Sequence, residues 1–241
     1  MSRERRLMDT FVELADTMVD DYDMIEFLQL LTERCVELLG TSEAGVMLAD
    51  GAGKLRHAAC SNERMQIVEL FELQLEEGPC FDAFRTNEPV VSAEPEEVAR
   101  RWPRFAPHVR DGGFESVAAV PMRLRSEVIG ALNLFSSHPV ALGTDELRLA
   151  QALADIATIG ILHQRAIADA RIATTQLEVA LESRIVIEQA KGIVAERNRI
   201  GVDEAFTLLR SYTRSHNRLL AQTARAIIDA SLDPSALAPA D

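Results

Sequence analysis

Arg210 and Arg214 stand one helical turn apart, and Tyr212, His216, Asn217 and Arg218 fall between or directly after them. Guanidinium groups in such a row neutralise phosphates and release their counterions. Flat rings and an amide in the same stretch can stack on, or hydrogen-bond to, the unpaired bases of RNA loops. Arg184 and Lys191 lie upstream in the same region. From Arg184 to Arg225 the chain has eight basic and four acidic side chains, a net +4, although all 241 residues together carry −13. Such asymmetry points to a polyanionic partner. Charge alone would favour a solvated helical surface, so the elements that carry these side chains matter.

At 100° per residue, Val186, Ala190, Ile193 and Arg197 share one side of a helix, and Arg184, Glu188, Lys191 and Arg199 share the other. Arg199-Ile-Gly-Val202 interrupts the pattern, and Asp203 is positioned to cap a second helix through about His216. Its apolar side reads Ala205, Phe206, Leu209 and Tyr212; for Tyr212, core packing fits better than a contact role. A third helix is expected from Asn217 to near Ser231, with Leu219, Leu220, Thr223 and Ile227 inward and Arg218, Gln222 and Arg225 outward. Three short amphipathic helices can bury one small core only by packing together, so a three-helix bundle over 181–231 follows. Ala190 and Gly192 read as positions that allow close helix packing, and 232–241 as a disordered tail.

Upstream, Leu7 to Val19 and Met24 to Leu39 have helical spacing, with Gly40 suited to a C-cap. Ala44–Asp50 and Leu55–Ser61 read as a hairpin around Gly51-Ala-Gly53. Asn62 caps a helix through Gln74, ended by Gly78-Pro79. Then come a short helix (Cys80–Arg85), a short strand (Pro89–Ser92), an irregular stretch (Pro95–Val109) and two strong strands, Ser116–Leu124 and Glu127–Phe135. From Thr144, a candidate cap, the chain turns helical. Ile156, Ile159, His163, Ala166, Ala170, Ala173, Leu177 and Ala180 recur in steps of three and four, a heptad seam that favours a coiled-coil connector (145–190) and a homodimer. The fold class is therefore α+β: an antiparallel sheet with flanking helices, a long signalling helix and a terminal helical bundle.

The order of elements over Asp20–Gln164, with Gly78-Pro-Cys-Phe-Asp82, Ser116-Val-Ala-Ala-Val-Pro121 and Val128-Ile-Gly-Ala-Leu-Asn133, resembles the GAF family of ligand-sensing domains. The resemblance implies a sensor within residues 1–164 and a ligand pocket beside the sheet, lined here by Met47, Cys60, Gly78, Cys80 and Val120. Arg184-Ile-Val-Ile-Glu-Gln-Ala-Lys-Gly192, Glu204-Ala-Phe-Thr-Leu-Leu-Arg210 and Arg214-Ser-His-Asn-Arg-Leu219 with Ala224 resemble the ANTAR domain. That resemblance implies binding to paired stem-loops in nascent transcripts, prevention of a terminator hairpin, and a switch through sensor-controlled dimerisation. Arg184, Lys191, Arg210, Arg214, Asn217 and Arg218 are the expected RNA contacts. Many members place a phosphoacceptor receiver before this module; here no matching cluster of acids and lysine is present, which favours a small ligand or a redox change as the signal.

Two other readings compete. Three basic helices could present a recognition helix to DNA, against which stands the lack of a short Gly-containing turn between the second and third. A thiol-based methionine sulfoxide reductase, a chemistry known among GAF relatives, would need a low-pKa Cys near a resolving one. Cys35, Cys60 and Cys80 form neither a disulfide framework nor a zinc pattern. No catalytic triad, phosphate loop or zinc-protease motif occurs, so no enzyme is expected. His57, His108 and His138 have the chemistry of haem ligands, but isolated histidines more often pack or face solvent, and no cofactor is identified. The apolar stretch Leu7–Val19 is broken by Asp9, Glu13 and Asp16, unlike a signal-peptide core, so a cytoplasmic protein is expected.

Overall fold

The computed structural model describes residues 3–18, 23–139 and 142–237. Two compact units are present, Met1–Arg165 and Ala166–Asp241. In the first, helix α1 (Arg3–Thr17) precedes α2 (Met24–Leu39). Asp23 caps α2 by accepting from the Ile25 amide at 2.7 Å. Gly40, at φ 70°, closes it with its own N–H on the Val36 carbonyl, a conformation that favours glycine. Strands β1 (Glu43–Ala49) and β2 (Leu55–Cys60) form the expected hairpin. Helix α3 (Glu63–Leu75) starts at Asn62, whose side chain accepts from the Met65 amide at 3.0 Å.

Then follow α4 (Pro79–Thr86), β3 (Val90–Ser92), α5 (Pro95–Arg101), α6 (Ala106–Asp111), β4 (Ser116–Leu124) and β5 (Glu127–Ser136). The five strands run antiparallel in the order β2-β1-β5-β4-β3. Side chains on each strand alternate between the faces. Leu132 and Leu134 of β5 pack with Phe27, Leu31 and Cys35 of α2 and with Leu153, Ala157 and Ile161 of α7 (Thr144–Asn198). Ala131 and Phe135 pack on the other face with Met47, Met65, Val68, Cys80, Trp102 and Phe105. Two apolar layers thus enclose one sheet, the α+β arrangement expected. Thr144 is the first residue of α7 rather than its cap, and Val19 lies outside the described residues.

In the second unit the end of α7, α8 (Val202–Ser215) and α9 (Leu220–Ile228) enclose a small core of Ala190, Val194, Ala205, Leu209, Ala224 and Ile227. Four local expectations are corrected. Asp203 is not the cap of α8: Gly201 holds that place, and Asp203 sits in the first turn, where a carboxylate still favours the helix dipole. Asn217 does not start α9. It takes φ 49°, a left-handed conformation Asn tolerates, and closes α8 while the Arg218 amide donates to the Thr213 carbonyl at 3.0 Å. Leu219 is consequently 67% exposed at the mouth of α9 instead of inward. The tail is likewise not wholly disordered: Pro234–Leu237 forms a 3₁₀ turn and buries Leu237 in the small core, while 238–241 lie outside the described residues.

Candidate functional site

Helix α8 and the turn after it carry most of the cationic face. Arg184, Arg210, Arg214, Asn217 and Arg218 are all exposed. None of the four arginines makes an ion pair or a side-chain hydrogen bond with another described residue, so their charge is available to a polyanion. Lys191 differs from them. Its ammonium lies 3.0 and 2.9 Å from the two Glu188 carboxylate oxygens, and its side chain is only 14% exposed. The same ammonium is 5.2 Å from the centre of the Phe206 ring, and the Arg210 guanidinium is 5.8 Å from it. Lys191 therefore sits between Glu188 and the Phe206 ring and is not a free cation. Arg225 and Glu182 approach at 3.8 Å but are both mostly exposed, so the pair contributes little.

Phe206 falls outside the set that encloses the small core, contrary to its place on the apolar side by helical spacing. It lines an open groove of about 590 Å³ with Thr207, Arg210, Ser211, Arg214 and Ser215. Tyr212 does pack on the core and also stacks on His216, ring centres 3.9 Å apart and planes at 20°. Ala190 is fully buried, as helix packing requires. Gly192 is not a packing position: a methyl group there would meet nothing within 4 Å.

The first unit holds a second polar centre that the sequence reading missed. Helix α3 buries Met65 and Val68 but also two acids: Glu69 and Glu72 are fully buried against the sheet, whereas Ile67 and Leu70 are 57% and 51% exposed. Their carboxylates occupy space left by glycines, since a Cβ at Gly45 would fall 2.2 Å from Glu69 Oε1 and one at Gly78 2.3 Å from Glu72 Oε1. Glu69 Oε2 meets His57 Nδ1 at 2.8 Å. Asn133 Nδ2 donates to Glu69 Oε1 at 2.9 Å and, weakly, to Glu72 Oε2 at 3.4 Å. The Cys80 amide donates to Glu72 Oε1 at 2.7 Å, and Asn133 Oδ1 has no partner. Burial raises the pKa of both acids, that of Glu72 strongly, with the nearby Glu69 and Asp82 charges adding to it. The Glu69 hydrogen bond raises His57. Only Glu69 meets His57; Glu72 has no cation beside it among the described residues, so burial favours its neutral, protonated form. The visible signal in the sequence was two acids spaced i, i+3 among apolar residues, but it is indistinguishable from an ordinary solvated face until the sheet is placed.

Of the five expected pocket residues, Met47 and Cys80 are buried together on the α3–α4 face, with Cys60 half-buried at its edge. Gly78 begins α4 on that side, pressed against Glu72. Val120 does not join them. Strand alternation sends it to the opposite face, against α2 and α7, so it cannot line the same pocket. Burial raises the Cys80 thiol well above its ordinary value, Glu72 and Glu69 adding to the effect. Burial also raises Cys60 and pushes Cys35 up to about 12. All three thiols are therefore held protonated, the opposite of what a nucleophilic cysteine needs. His57 is engaged by Glu69, and His108 stacks on Phe71 with centres 3.7 Å apart.

The GAF domain family matches residues 21–161, and the ANTAR domain family matches 175–228. The chain belongs to the GAF family and carries an ANTAR domain behind it. The GAF domain is similar in fold to that of a phosphoenolpyruvate-protein phosphotransferase from Coxiella burnetii: TM-score 0.54, 18% identity, covering 70% of this chain and 99% of that one. It is also similar to the GAF domain of an Acinetobacter phosphoenolpyruvate-protein phosphotransferase (0.52, 16%, 68% and 97%). A third likeness is to free methionine-R-sulfoxide reductase from Neisseria meningitidis with its substrate (0.52, 18%, 68% and 91%). At such identities these likenesses establish the GAF fold alone. No curated protein matches the chain. Both domains are of regulatory kinds, and among the described residues no helix is long and apolar enough to cross a membrane.

Proposed function

We propose that this chain is a cytoplasmic transcription antitermination regulator whose ANTAR module binds stem-loop RNA under control of the GAF domain. The observation that carries the reading is the row of unpaired, exposed arginines at Arg210, Arg214 and Arg218 within the segment of ANTAR likeness. Arg184 and Asn217 extend the surface; Lys191 orders it from below. On this reading residues 1–164 are the sensor, 145–190 the connector and 181–231 the RNA-binding module.

The acting form is a homodimer. Every residue of α7 from 168 to 182 is exposed, including Ile172, Leu177, Val179 and Leu181 at 58–71%. The heptad positions Ala166, Ala170, Ala173, Leu177 and Ala180 form a continuous exposed seam, which a second copy of α7 covers by knobs-into-holes packing. The sensor takes a small ligand on the α3–α4 side of the sheet, where Met47, Cys60, Gly78 and Cys80 lie. The raised thiols speak against a redox signal and against a reductase.

The test compares wild type with Arg214→Ala/Arg218→Ala on hairpin RNA and on duplex DNA of the same sequence across a salt series. The double variant should bind hairpins more weakly, with a slope of log affinity against log salt flatter by about 1.4 if each arginine neutralises one phosphate of a single strand. An unchanged slope removes these contacts, and a preference for duplex DNA replaces the RNA reading.

A further inference from the structure

We propose that the Phe206 ring and the groove beside it receive one unpaired base of the RNA loop, and that this contact is what separates loop-bearing hairpins from fully paired RNA. The inference rests on the RNA-binding reading of the module and adds to it the residue that reads the absence of pairing.

Phe206 sits one residue after fully buried Ala205 and three before fully buried Leu209, yet is itself only partly covered. The small core closes without it. A large aromatic ring left at a module's surface costs hydration energy unless something covers it. What surrounds it names the occupant. The groove is lined by Arg210, Arg214, Thr207, Ser211 and Ser215, with no acid among them. An apolar protein helix would find two guanidinium groups and three hydroxyls there, a poor match. A nucleotide finds a ring for its base, cations for its flanking phosphates and the Ser211 hydroxyl, which has no partner among the described residues, for a 2′-hydroxyl or base edge.

The cations near the ring fit the same occupant. Arg210 lies 5.8 Å from the ring centre, so its guanidinium plane can pack alongside a base held on the ring. Lys191 lies 5.2 Å from it and is paired with Glu188. Stacking uses the π-face every base has, so it tolerates sequence. It does require the base to be unstacked, which a continuous duplex does not offer. The arginines bind phosphates of either form; Phe206 binds only the looped one.

The probes are a pool of RNA hairpins with one fixed stem and a fully randomised loop, and the blunt duplex of the same stem, titrated with the full chain. Phe206→Leu should weaken hairpin binding about tenfold to a hundredfold, the worth of one stacked base, and leave duplex binding and the salt slope unchanged. Phe206→Tyr should keep the wild-type ratio. As a second readout, Phe206→Trp should be quenched by the hairpin pool and not by the duplex, with wild type, whose single tryptophan is Trp102 in the GAF domain, as baseline. If wild type binds hairpins while Phe206→Leu keeps the full hairpin-to-duplex ratio, or Phe206→Trp shows no quenching, the stacking assignment falls and RNA binding stands. If wild type ignores the hairpins, the RNA reading falls and the platform with it.

Discussion

Replacing Glu72 by glutamine should flatten the pH dependence of GAF-domain stability by one proton's worth. Glu72 is fully buried, bonded to the Cys80 amide at 2.7 Å and beside Glu69, and its folded pKa stands well above the ordinary 4.5. A group whose folded pKa is raised binds its proton more tightly in the folded state. Its stabilisation is fully present below the unfolded value and is lost as pH rises through the folded one. Within that window each extra bound proton costs about 1.4 kcal/mol of stability per pH unit. Glu69 is raised as well, and His57 is raised from 6.5, so all three weaken the domain as pH climbs. The glutamine side chain of Glu72→Gln would imitate the protonated acid and cannot ionise. The slope of unfolding free energy against pH should therefore be less steep by about 1.4 kcal/mol per unit, roughly tenfold in the equilibrium constant. Trp102 supplies the readout: it is buried in the GAF core with its indole N–H on Asp82 at 3.0 Å, so its fluorescence follows that domain's unfolding in denaturant. Equal slopes for Glu72→Gln and wild type would mean that Glu72 holds no extra proton and that the buried-acid account is wrong.

Gly192→Ala should stabilise the ANTAR module by about 0.5–1 kcal/mol, because a mid-helix glycine is replaced where its Cβ meets only open space; a lower melting temperature would contradict this. Leu177→Glu places a charge in the exposed seam of α7 and should shift the chain toward monomer in sedimentation equilibrium, with hairpin affinity falling in parallel; an unmoved mass would refute the α7 dimer. Asn62→Ala removes the cap of α3 and should cost about 1 kcal/mol of GAF-domain stability in denaturant titrations, while an unchanged midpoint would deny the cap any weight.

The sequence by itself determined everything that depends on neighbours along the chain. Gly40, Asn62 and the runs Ser116–Leu124 and Glu127–Phe135 announce a cap, a helix start and the central hairpin, because capping and strand alternation are written in local order. The basic stretch from Arg184 to Arg225 was equally legible, since charge needs no fold to be counted. Only the tertiary structure decided which face each residue meets. Val120 and Met47 both read as lining one pocket beside the sheet, but strand register puts them on opposite sides of it. Lys191 and Arg210 look alike as cations, yet packing of α7 on α8 sets the Lys191 ammonium 5.2 Å from the Phe206 ring and leaves its side chain 14% exposed, while Arg210 stays exposed. Glu69 and Glu72 carry the spacing of a solvated helix face, and become a buried pair with raised pKa because Gly45 of β1 and Gly78 at the start of α4 leave room for their carboxylates. Periodicity fixes which residues lie on one side of a helix. It does not say which side the sheet will cover, because that follows from packing the whole domain at once.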